Sequence, residues 1–243
     1  PLICFFYYLF PKKMWKTFKE IILDIFWPKK CINCNKLGKC LCDDCFALIE
    51  IFRNISCEKF LYLDGLHYAC AYNDKLVKSI IHLCKYDRIK ELTRPLADLI
   101  IAHFKLLDNQ TLLSIQLFSK EQGSSSLIVC CVPIHKKKLK NRGFNQSEEI
   151  AEYLSEEFGL NFIKDLIIKT KNTLPQAELS KDEREKNIIN AFEINPLLKD
   201  IVKDKNVLLV DDVFTTGSTM EECAKILKQN CAHSVWGAVV ARD

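Results

Sequence analysis

The sequence predicts an α/β protein in which a parallel sheet is flanked by helices and preceded by a small metal-binding module. Three observations lead to this prediction. Apolar runs such as 127–132 and 207–210 are typical of strands that are buried on both faces. These runs alternate with stretches in which apolar residues recur at helical spacing. Two Cys-x-x-Cys pairs stand close together ahead of all these segments.

The composition restricts the class of protein. The chain has 243 residues, of which 49% are hydrophobic, and this suits one large domain with a small attachment. A net charge of +4 does not by itself indicate nucleic acid binding. Five of the 13 cysteines lie between Cys31 and Cys45, and the others occur singly or in pairs in apolar runs. This pattern favours a reducing cytoplasm and one metal site over a disulfide framework.

The N-terminal region predicts a separate helix. The first methionine is Met14, so we give residues 1–13 little weight, and from Trp15 to Ile25 apolar residues recur at helical spacing. Two interpretations stay open, a helix packed on its own domain or on a partner, and a helix on a membrane surface. The predicted domains are 1–27 for this leader, 28–56 for the metal module and 57–243 for the α/β domain, with an insertion at 109–126.

Two cysteine knuckles predict a structural zinc site. Each Cys-x-x-Cys pair can direct two thiolates at one tetrahedral ion. The loop between them is short, so the module should fold only with metal. A closed site leaves no open position for catalysis, so its role would be scaffolding or interaction, with nucleic acid as one candidate partner. Cys40 is an alternative ligand, and a redox pair or disulfides are the competing interpretation. The predicted ligands are Cys31, Cys34, Cys42 and Cys45.

The first half of the α/β domain predicts strands and then helices. Residues 61–72 indicate two short strands around Asp64-Gly65, and residues 76–84 and 92–104 indicate two helices. Lys85 falls where the first of these helices should end. A lysine there usually stabilises a helix C-terminus, and a position over the ligand is the second interpretation.

The second half continues the alternation of strands and helices. Strands are predicted at 127–132, 162–168, 191–194 and 234–242, and a helix at 150–158. The basic run 136–142 is expected to meet a pyrophosphate or a nucleic acid backbone, or to be a solvated face. The polar stretch 169–190 is long enough for a lid that excludes water from the site, and a plain surface helix is the alternative.

The stretch 207–219 is the centre of the prediction. Asp211 and Asp212 follow where a buried strand should end, and ligands of open parallel sheets bind outside the carboxyl ends of the strands. A run of small residues then leads into a helix from Ser218, whose N–H groups favour a phosphate. The two acids would repel a phosphate, so we expect them to bind vicinal hydroxyls or Mg²⁺. Together these features describe a site for a ribose 5-phosphate.

This stretch resembles the signature of type I phosphoribosyltransferases. That resemblance implies that the two acids hold the ribose hydroxyls of phosphoribosyl pyrophosphate (PRPP), which binds with Mg²⁺, and that the loop holds its 5-phosphate. The implied PRPP site consists of Asp211, Asp212, Thr215, Thr216, Gly217, Ser218 and Thr219.

Further motifs narrow the resemblance. Arg142-Gly-Phe-Asn-Gln146, Thr173-x-x-Gln176, Arg184-x-x-Asn187 and the knuckles resemble the ComF family of competence proteins, from about residue 28 to residue 243. This implies a zinc module joined to a phosphoribosyltransferase-like domain in a cytoplasmic protein of natural transformation, peripheral to the inner membrane in one interpretation. Single-stranded DNA and helicase-type DNA-uptake proteins are the implied partners. Expected contacts to pyrophosphate or DNA are Lys85, Lys136, Lys137, Lys138, Arg142, Asn145 and Gln146, and expected lid residues are Thr173, Gln176, Arg184 and Asn187.

The resemblance does not establish a reaction. A hood that recognises a base would have to come from about 57–107, where Tyr68, Tyr72 and Tyr86 are able to stack. A fold alone does not define chemistry, so the catalytic residues stay unassigned. Two alternatives to a DNA-uptake role remain, an active phosphoribosyltransferase on an unidentified acceptor and a non-catalytic module that senses PRPP.

Overall fold

The computed structural model describes residues 28–53, 55–56, 59–107, 127–171, 173 and 188–243. The predicted leader, the predicted insertion and the lid residues Gln176, Arg184 and Asn187 lie outside these ranges. The chain divides into two compact units, Pro1–Leu48 and Ile49–Asp243. The finer division made from the sequence stays a prediction.

The described part of the first unit is a compact loop followed by a single helical turn. Lys30 and Leu37 form an antiparallel bridge. Within it the Cys31 N–H donates to the Lys36 carbonyl at 2.8 Å, and the chain reverses. Helix α1, Asp43–Phe46, begins directly after Cys42. This backbone path carries both knuckles into one place.

The second unit is built on a six-stranded sheet. Its spatial order is β1-β2-β8-β7-β3-β4, where β1 is antiparallel to β2 and all other neighbours are parallel. A separate antiparallel pair consists of β5 and β6. The strands are β1 Ile55–Ser56, β2 Gly65–Ala71, β3 Leu127–Cys131, β4 Asn161–Phe162, β5 Ile167–Lys169, β6 Phe192–Ile194, β7 Asn206–Phe214 and β8 Ser234–Arg242.

Helices cover both faces of this sheet. Val207, Leu209 and Val239 contribute to a buried cluster with α6, whereas the alternate residues of the same strands face α3 and α5. The predicted fold, a mostly parallel sheet flanked by helices, is therefore confirmed. The helices are α2 Lys75–Tyr86, α3 Thr93–Leu106, α4 Lys136–Arg142, α5 Gln146–Phe158 and α6 Ser218–Gln229, with 3₁₀ turns at Lys90–Leu92 and Lys199–Ile201.

Local chemistry explains where the helices begin and end. The Asp74 carboxylate accepts from the N–H groups of Leu76 and Val77 and so starts α2. The ring of His135 does the same for α4 by accepting from the Lys137 N–H at 3.2 Å. Gly143 ends α4 in the left-handed conformation, with φ 89°. In the described part of the chain no helix is both long and apolar enough to cross a membrane.

The prediction of two strands within residues 61–72 is wrong, because only Gly65–Ala71 is a strand. The N–H groups of Leu61 and Tyr62 donate to the carboxylate of Glu221 at 2.9 and 2.8 Å. A side chain from α6 thus satisfies the backbone groups that a second strand would have paired.

Two other strand predictions need correction. The predicted strand at 162–168 is two strands separated by a turn in which Asp165 has φ 55°. In addition, β7 does not end before the acids. It runs to Phe214, because Asp211 and Val213 continue the pairing with β8. Asp211 and Asp212 are therefore strand residues with a fixed backbone.

Candidate functional site

The acidic pair lies at the carboxyl end of β7, beside the loop that opens α6. Gly217 is the residue that precedes α6, and it has φ 77°. A Cβ at this position would lie 2.3 Å from Phe214 Cζ, so the turn requires glycine. The hydroxyls of Thr216 and Ser218 lie 2.9 Å apart. The loop thus folds tightly against the strand end and leads into the N–H groups of the first turn of α6.

Asp212 is held by a lysine from α2. The ammonium of Lys85 lies 2.9 Å from Oδ1 and 2.8 Å from Oδ2 of Asp212, although the two residues are 127 positions apart in the sequence. Asp212 is 6% exposed. Burial lowers the pKa of Lys85, but attraction by Asp212 outweighs it, so the pKa lies above its ordinary value. The structure thus favours the second interpretation of Lys85, as a residue of the candidate site.

Asp211 has different partners from its neighbour Asp212. Its Oδ1 accepts from the Ser147 hydroxyl at 2.7 Å and from the Asp212 N–H at 2.9 Å. Burial and the charge of Asp212 raise the pKa of Asp211 to about 7, against the opposing effects of Ser147 and Lys85. Asp211 therefore takes up a proton more readily than an ordinary aspartate, whereas Asp212 is paired with the ammonium of Lys85. Two adjacent carboxylates in unequal states are able to accept and donate hydrogen bonds at the same site.

The connection between β3 and α5 lies at the same end of the sheet. Asn145 donates from Nδ2 to the Val132 carbonyl at 3.1 Å, and Arg142 donates to Gln146 Oε1 at 3.2 Å. Asn145 and Gln146 are buried, so in this structure they brace the connection. A ligand contact by these residues stays a prediction.

The basic run is mostly the short helix α4. Lys136 and Lys137 are exposed on it, and Lys138 is partly buried. Lys169, at the end of β5, lies with its ammonium 4.9 Å from the centre of the Phe192 ring. Burial and then repulsion by Lys138 lower the pKa of Lys169 to about 8, with Asp211 acting in the opposite direction. Lys169 therefore belongs to the surroundings of the acidic pair.

Sequence reasoning missed Lys169 and Ser147 as site residues. The signal for Lys169 was its position directly after an apolar strand, where a polar segment begins. Ser147 offered no signal, because a serine in the first turn of a helix is ordinary. Thr173 is buried, and its N–H donates to the Lys171 carbonyl. The other predicted lid residues lie outside the described ranges.

The first unit contains a candidate metal centre. The Sγ atoms of Cys31, Cys34, Cys42 and Cys45 all lie within 4.8 Å of one another. Zn–S bonds of about 2.3 Å in a tetrahedron separate the sulfurs by about 3.8 Å, so the four thiols fit the ion. The described cysteines are all free thiols. The cluster could therefore hold a metal ion, consistent with the structural zinc predicted from the sequence.

Backbone and side-chain groups support this cluster. The Cys42 N–H points at Cys31 Sγ over 3.5 Å, and Asn33 Nδ2 donates to Cys45 Sγ at 3.3 Å. Burial raises the pKa of Cys31, but surrounding backbone donors outweigh it and lower this pKa to about 6. These backbone donors stabilise the Cys31 thiolate. At Cys45 the Asn33 hydrogen bond lowers the pKa, but burial and the neighbouring thiols outweigh it and raise this pKa to about 12. Cys40 is not part of the described cluster.

Comparisons with known proteins identify the family. Residues 139–243 match the family model described as a phosphoribosyl transferase domain. The "DNA utilization protein YhgH" of Escherichia coli is 28% identical over 209 residues, which are 84% of this chain and 85% of that protein. "Competence protein F" of Haemophilus influenzae is 33% identical over 108 residues, 44% of this chain and 47% of that protein. Together these matches support a ComF-family protein.

A solved structure was also compared with this ComF-family protein. Adenine phosphoribosyltransferase from Thermoanaerobacter pseudethanolicus aligns over 60% of this chain and 84% of its own, with 16% identity and a TM-score of 0.29. The family follows from the domain match and the sequence relatives. The predicted fold class, a phosphoribosyltransferase-like domain preceded by a four-cysteine module, is confirmed for this member of the ComF family.

Proposed function

We propose that this protein handles single-stranded DNA during natural transformation and that its larger unit binds PRPP with Mg²⁺. The observation that carries the PRPP part is the placement of Asp211 and Asp212 side by side at the end of β7, ahead of the tight loop into α6. The DNA part is supported by the family, whose relatives include a "DNA utilization protein" and "Competence protein F".

Each part of PRPP has a complementary group in this unit. The 5-phosphate would bind the N–H and hydroxyl groups of 215–219, where the start of α6 favours an anion. The ribose hydroxyls would bind Asp211 and Asp212, since Asp211 both donates and accepts near neutral pH. The diphosphate would lie toward α4 and Lys169, which supply cations. Mg²⁺, when bound, would neutralise diphosphate oxygens.

DNA would occupy a different surface. Deoxyribose lacks the 2-hydroxyl, so a pair of acids favours a ribose ligand over DNA in the pocket. Exposed lysines on α4 offer contacts to a phosphate backbone. The cysteine module is a second candidate surface, and Lys36 and Lys39 are exposed on it, where they form ion pairs with Asp44 and Asp43. We place the protein in the cytoplasm, with peripheral contact to the inner membrane and helicase-type uptake proteins as partners.

Calorimetry on the full chain tests both ligands. PRPP with Mg²⁺ and a single-stranded oligonucleotide are titrated into wild type and the double variant Asp211→Ala/Asp212→Ala. We expect the double variant to lose PRPP binding by more than about 100-fold, since hydrogen bonds to charged groups contribute about 1.5 to 3 kcal/mol each and two such groups are removed, and to keep DNA binding. Glu193→Ala/Asp200→Ala removes two exposed acids elsewhere and serves as the control. Equal PRPP affinity in all three proteins would refute the PRPP site.

The DNA surface has its own test. Charge reversal at Lys136, Lys137 and Lys138 should weaken oligonucleotide binding and flatten its dependence on salt, because fewer counterions are released. PRPP affinity, measured on the same variant, shows whether the acidic pair is intact. DNA binding that responds neither to salt nor to charge reversal would exclude this surface.

A second candidate function is an active phosphoribosyltransferase on an unidentified acceptor. The specific observation in its favour is the buried carboxylate of Asp211, which accepts from the Ser147 hydroxyl at 2.7 Å and whose pKa burial raises above its ordinary value, as suits a group that takes up a proton. In this reaction the acceptor forms a bond to C1 of the ribose, the bond from C1 to the diphosphate oxygen breaks, and the acceptor's proton passes to a base. Diphosphate release in a panel of bases and amines measures it.

The outcomes separate transfer from sensing. Release of diphosphate that is lost in Asp211→Ala/Asp212→Ala would establish transfer. PRPP binding without turnover on any acceptor would favour a module that senses PRPP. Loss of transformation in a Cys34→Ala strain, with none in the double aspartate variant, would instead assign the function to the cysteine module.

A further inference from the structure

The ion pair between Lys85 and Asp212 occupies the carboxylate that the proposed ligand needs. We infer that Lys85 is a positioning residue that keeps a divalent cation away from Asp212 in the ligand-free protein. Lys85 then releases Asp212 when the diphosphate of PRPP offers its ammonium another anion. The second step rests on the proposed function, whereas the first concerns the protein alone.

The geometry leaves Asp212 fully engaged. One ammonium lies within 2.9 Å of Oδ1 and 2.8 Å of Oδ2, so both carboxylate oxygens face the same cation. The Asp212 side chain is 9% exposed and that of Lys85 is 24% exposed, so the pair lies away from bulk solvent. Buried ion pairs add little net stability compared with apolar residues of the same size, because both charges lose their hydration. A role in ligand binding is therefore a better account of this pair than stability.

Electrostatics makes Lys85 and a metal ion competitors. The charges of Asp212 and Lys85 cancel. Of the two adjacent acids, only Asp211 is then left to attract a cation. The Oδ1 atom of Asp211 already accepts hydrogen bonds from the Ser147 hydroxyl and the Asp212 N–H. A divalent cation at Asp212 would also lie within a few ångströms of the ammonium, where repulsion is strong and weakly screened. Metal alone should therefore bind poorly.

The lysine is placed so that it can exchange partners. It lies in the last turn of α2, and its flexible stem allows the ammonium to move while the helix stays in place. A diphosphate carries more negative charge than one carboxylate, so its arrival gives Lys85 a stronger partner. Asp212 is then free for a ribose hydroxyl or a divalent cation. Binding of the metal would thus follow or accompany binding of PRPP.

Titration of Mn²⁺ alone into the full-length, zinc-loaded protein tests the first step. Paramagnetic resonance counts bound Mn²⁺ in wild type, Lys85→Gln and Lys78→Gln. Lys78 is the matched control, because it is an exposed lysine on the same helix with its ammonium 5.4 Å from the Tyr72 ring. We expect Lys85→Gln to bind Mn²⁺ about tenfold more tightly than wild type, and Lys78→Gln to match wild type.

Two further variants make this result decisive. Adding Asp212→Asn to Lys85→Gln should remove the gained Mn²⁺ site, and Lys85→Arg should exclude Mn²⁺ as wild type does, because it keeps the charge. Circular dichroism confirms that each variant is folded, and Lys85→Met supplies a second neutral replacement if Lys85→Gln unfolds. Equal Mn²⁺ affinity in Lys85→Gln and wild type, or a gain that survives Asp212→Asn, would overturn the inference.

PRPP titrations test the second step and separate it from the proposed function. With Mg²⁺ present, Lys85→Gln should bind PRPP about tenfold more weakly than wild type and Lys78→Gln, since the diphosphate loses a charged partner. Unchanged PRPP affinity in Lys85→Gln would refute the exchange. If wild type itself does not bind PRPP, the proposed function fails, while the Mn²⁺ titration still decides whether Lys85 excludes the cation.

Discussion

Replacing Gly217 with alanine should destabilise the protein for two separable reasons. The first is conformational, because Gly217 has φ 77° and a left-handed alanine costs about 1 to 2 kcal/mol. The second is steric, because the new Cβ would lie 2.3 Å from Cζ of Phe214 and within 3.0 Å of both Cε atoms. Phe214 is 6% exposed and packs edge-on against Phe60, with ring centres 5.8 Å apart.

The magnitude follows from how little room the ring has. Forcing extra atoms into a packed core typically costs about 1 to 3 kcal/mol, and the guanidinium of Arg242 lies 5.9 Å from the centre of the Phe214 ring. The total free-energy cost for Gly217→Ala is therefore about 2 to 5 kcal/mol. Gly159→Ala is the matched control. Its φ is 64°, but a Cβ there meets nothing within 4 Å, so only the conformational cost of about 1 to 2 kcal/mol applies.

Urea unfolding of both variants measures the difference, which should be about 1 to 3 kcal/mol. The extra loss of stability in Gly217→Ala, relative to Gly159→Ala, should shrink when Phe214→Leu is combined with Gly217→Ala. The smaller side chain leaves room for the new methyl group. PRPP affinity should fall for Gly217→Ala alone, since the ring and the loop move together. If the two glycine variants lose stability within about 0.5 kcal/mol of each other, the steric reasoning is wrong.

Two further predictions concern pH and metal. Burial, and then the charge of His103, lower the pKa of His67 to about 3 in the folded protein. As the pH falls from 6.5 toward 3, this histidine therefore takes up a proton in the unfolded chain but not in the folded one. The free energy of unfolding decreases across that window. This loss amounts to about 3 kcal/mol by pH 4, and urea unfolding of His67→Gln should show a smaller loss than wild type. A strong chelator should remove one zinc per chain and expose the amides of 28–48 to hydrogen exchange, while the thermal transition of 49–243 remains. Protection of 28–48 that survives metal removal would contradict the zinc requirement.

Much of the fold could be predicted because buried parallel strands need apolar residues on both faces. Residues 207–210 and 127–132 are strands for that reason, and the helices between them show the spacing that covers a sheet. Two strand predictions were wrong, because a distant side chain takes up backbone N–H groups in one case and a turn interrupts the strand in the other. Glu221 takes the N–H groups of Leu61 and Tyr62, and a left-handed Asp165 separates two strands that read as one.

The chemistry at the end of β7 and in the knuckles follows from the order of the residues, because neighbours in the chain are brought together by local geometry alone. Asp211, Asp212 and the loop before α6 are contiguous, and each Cys-x-x-Cys pair turns back on itself. The partners of the two acids, in contrast, depend on tertiary packing. Lys85 comes from 127 positions away to Asp212, and Ser147 from 64 positions away to Asp211. Such pairings depend on how helices pack on the sheet, which no local pattern encodes.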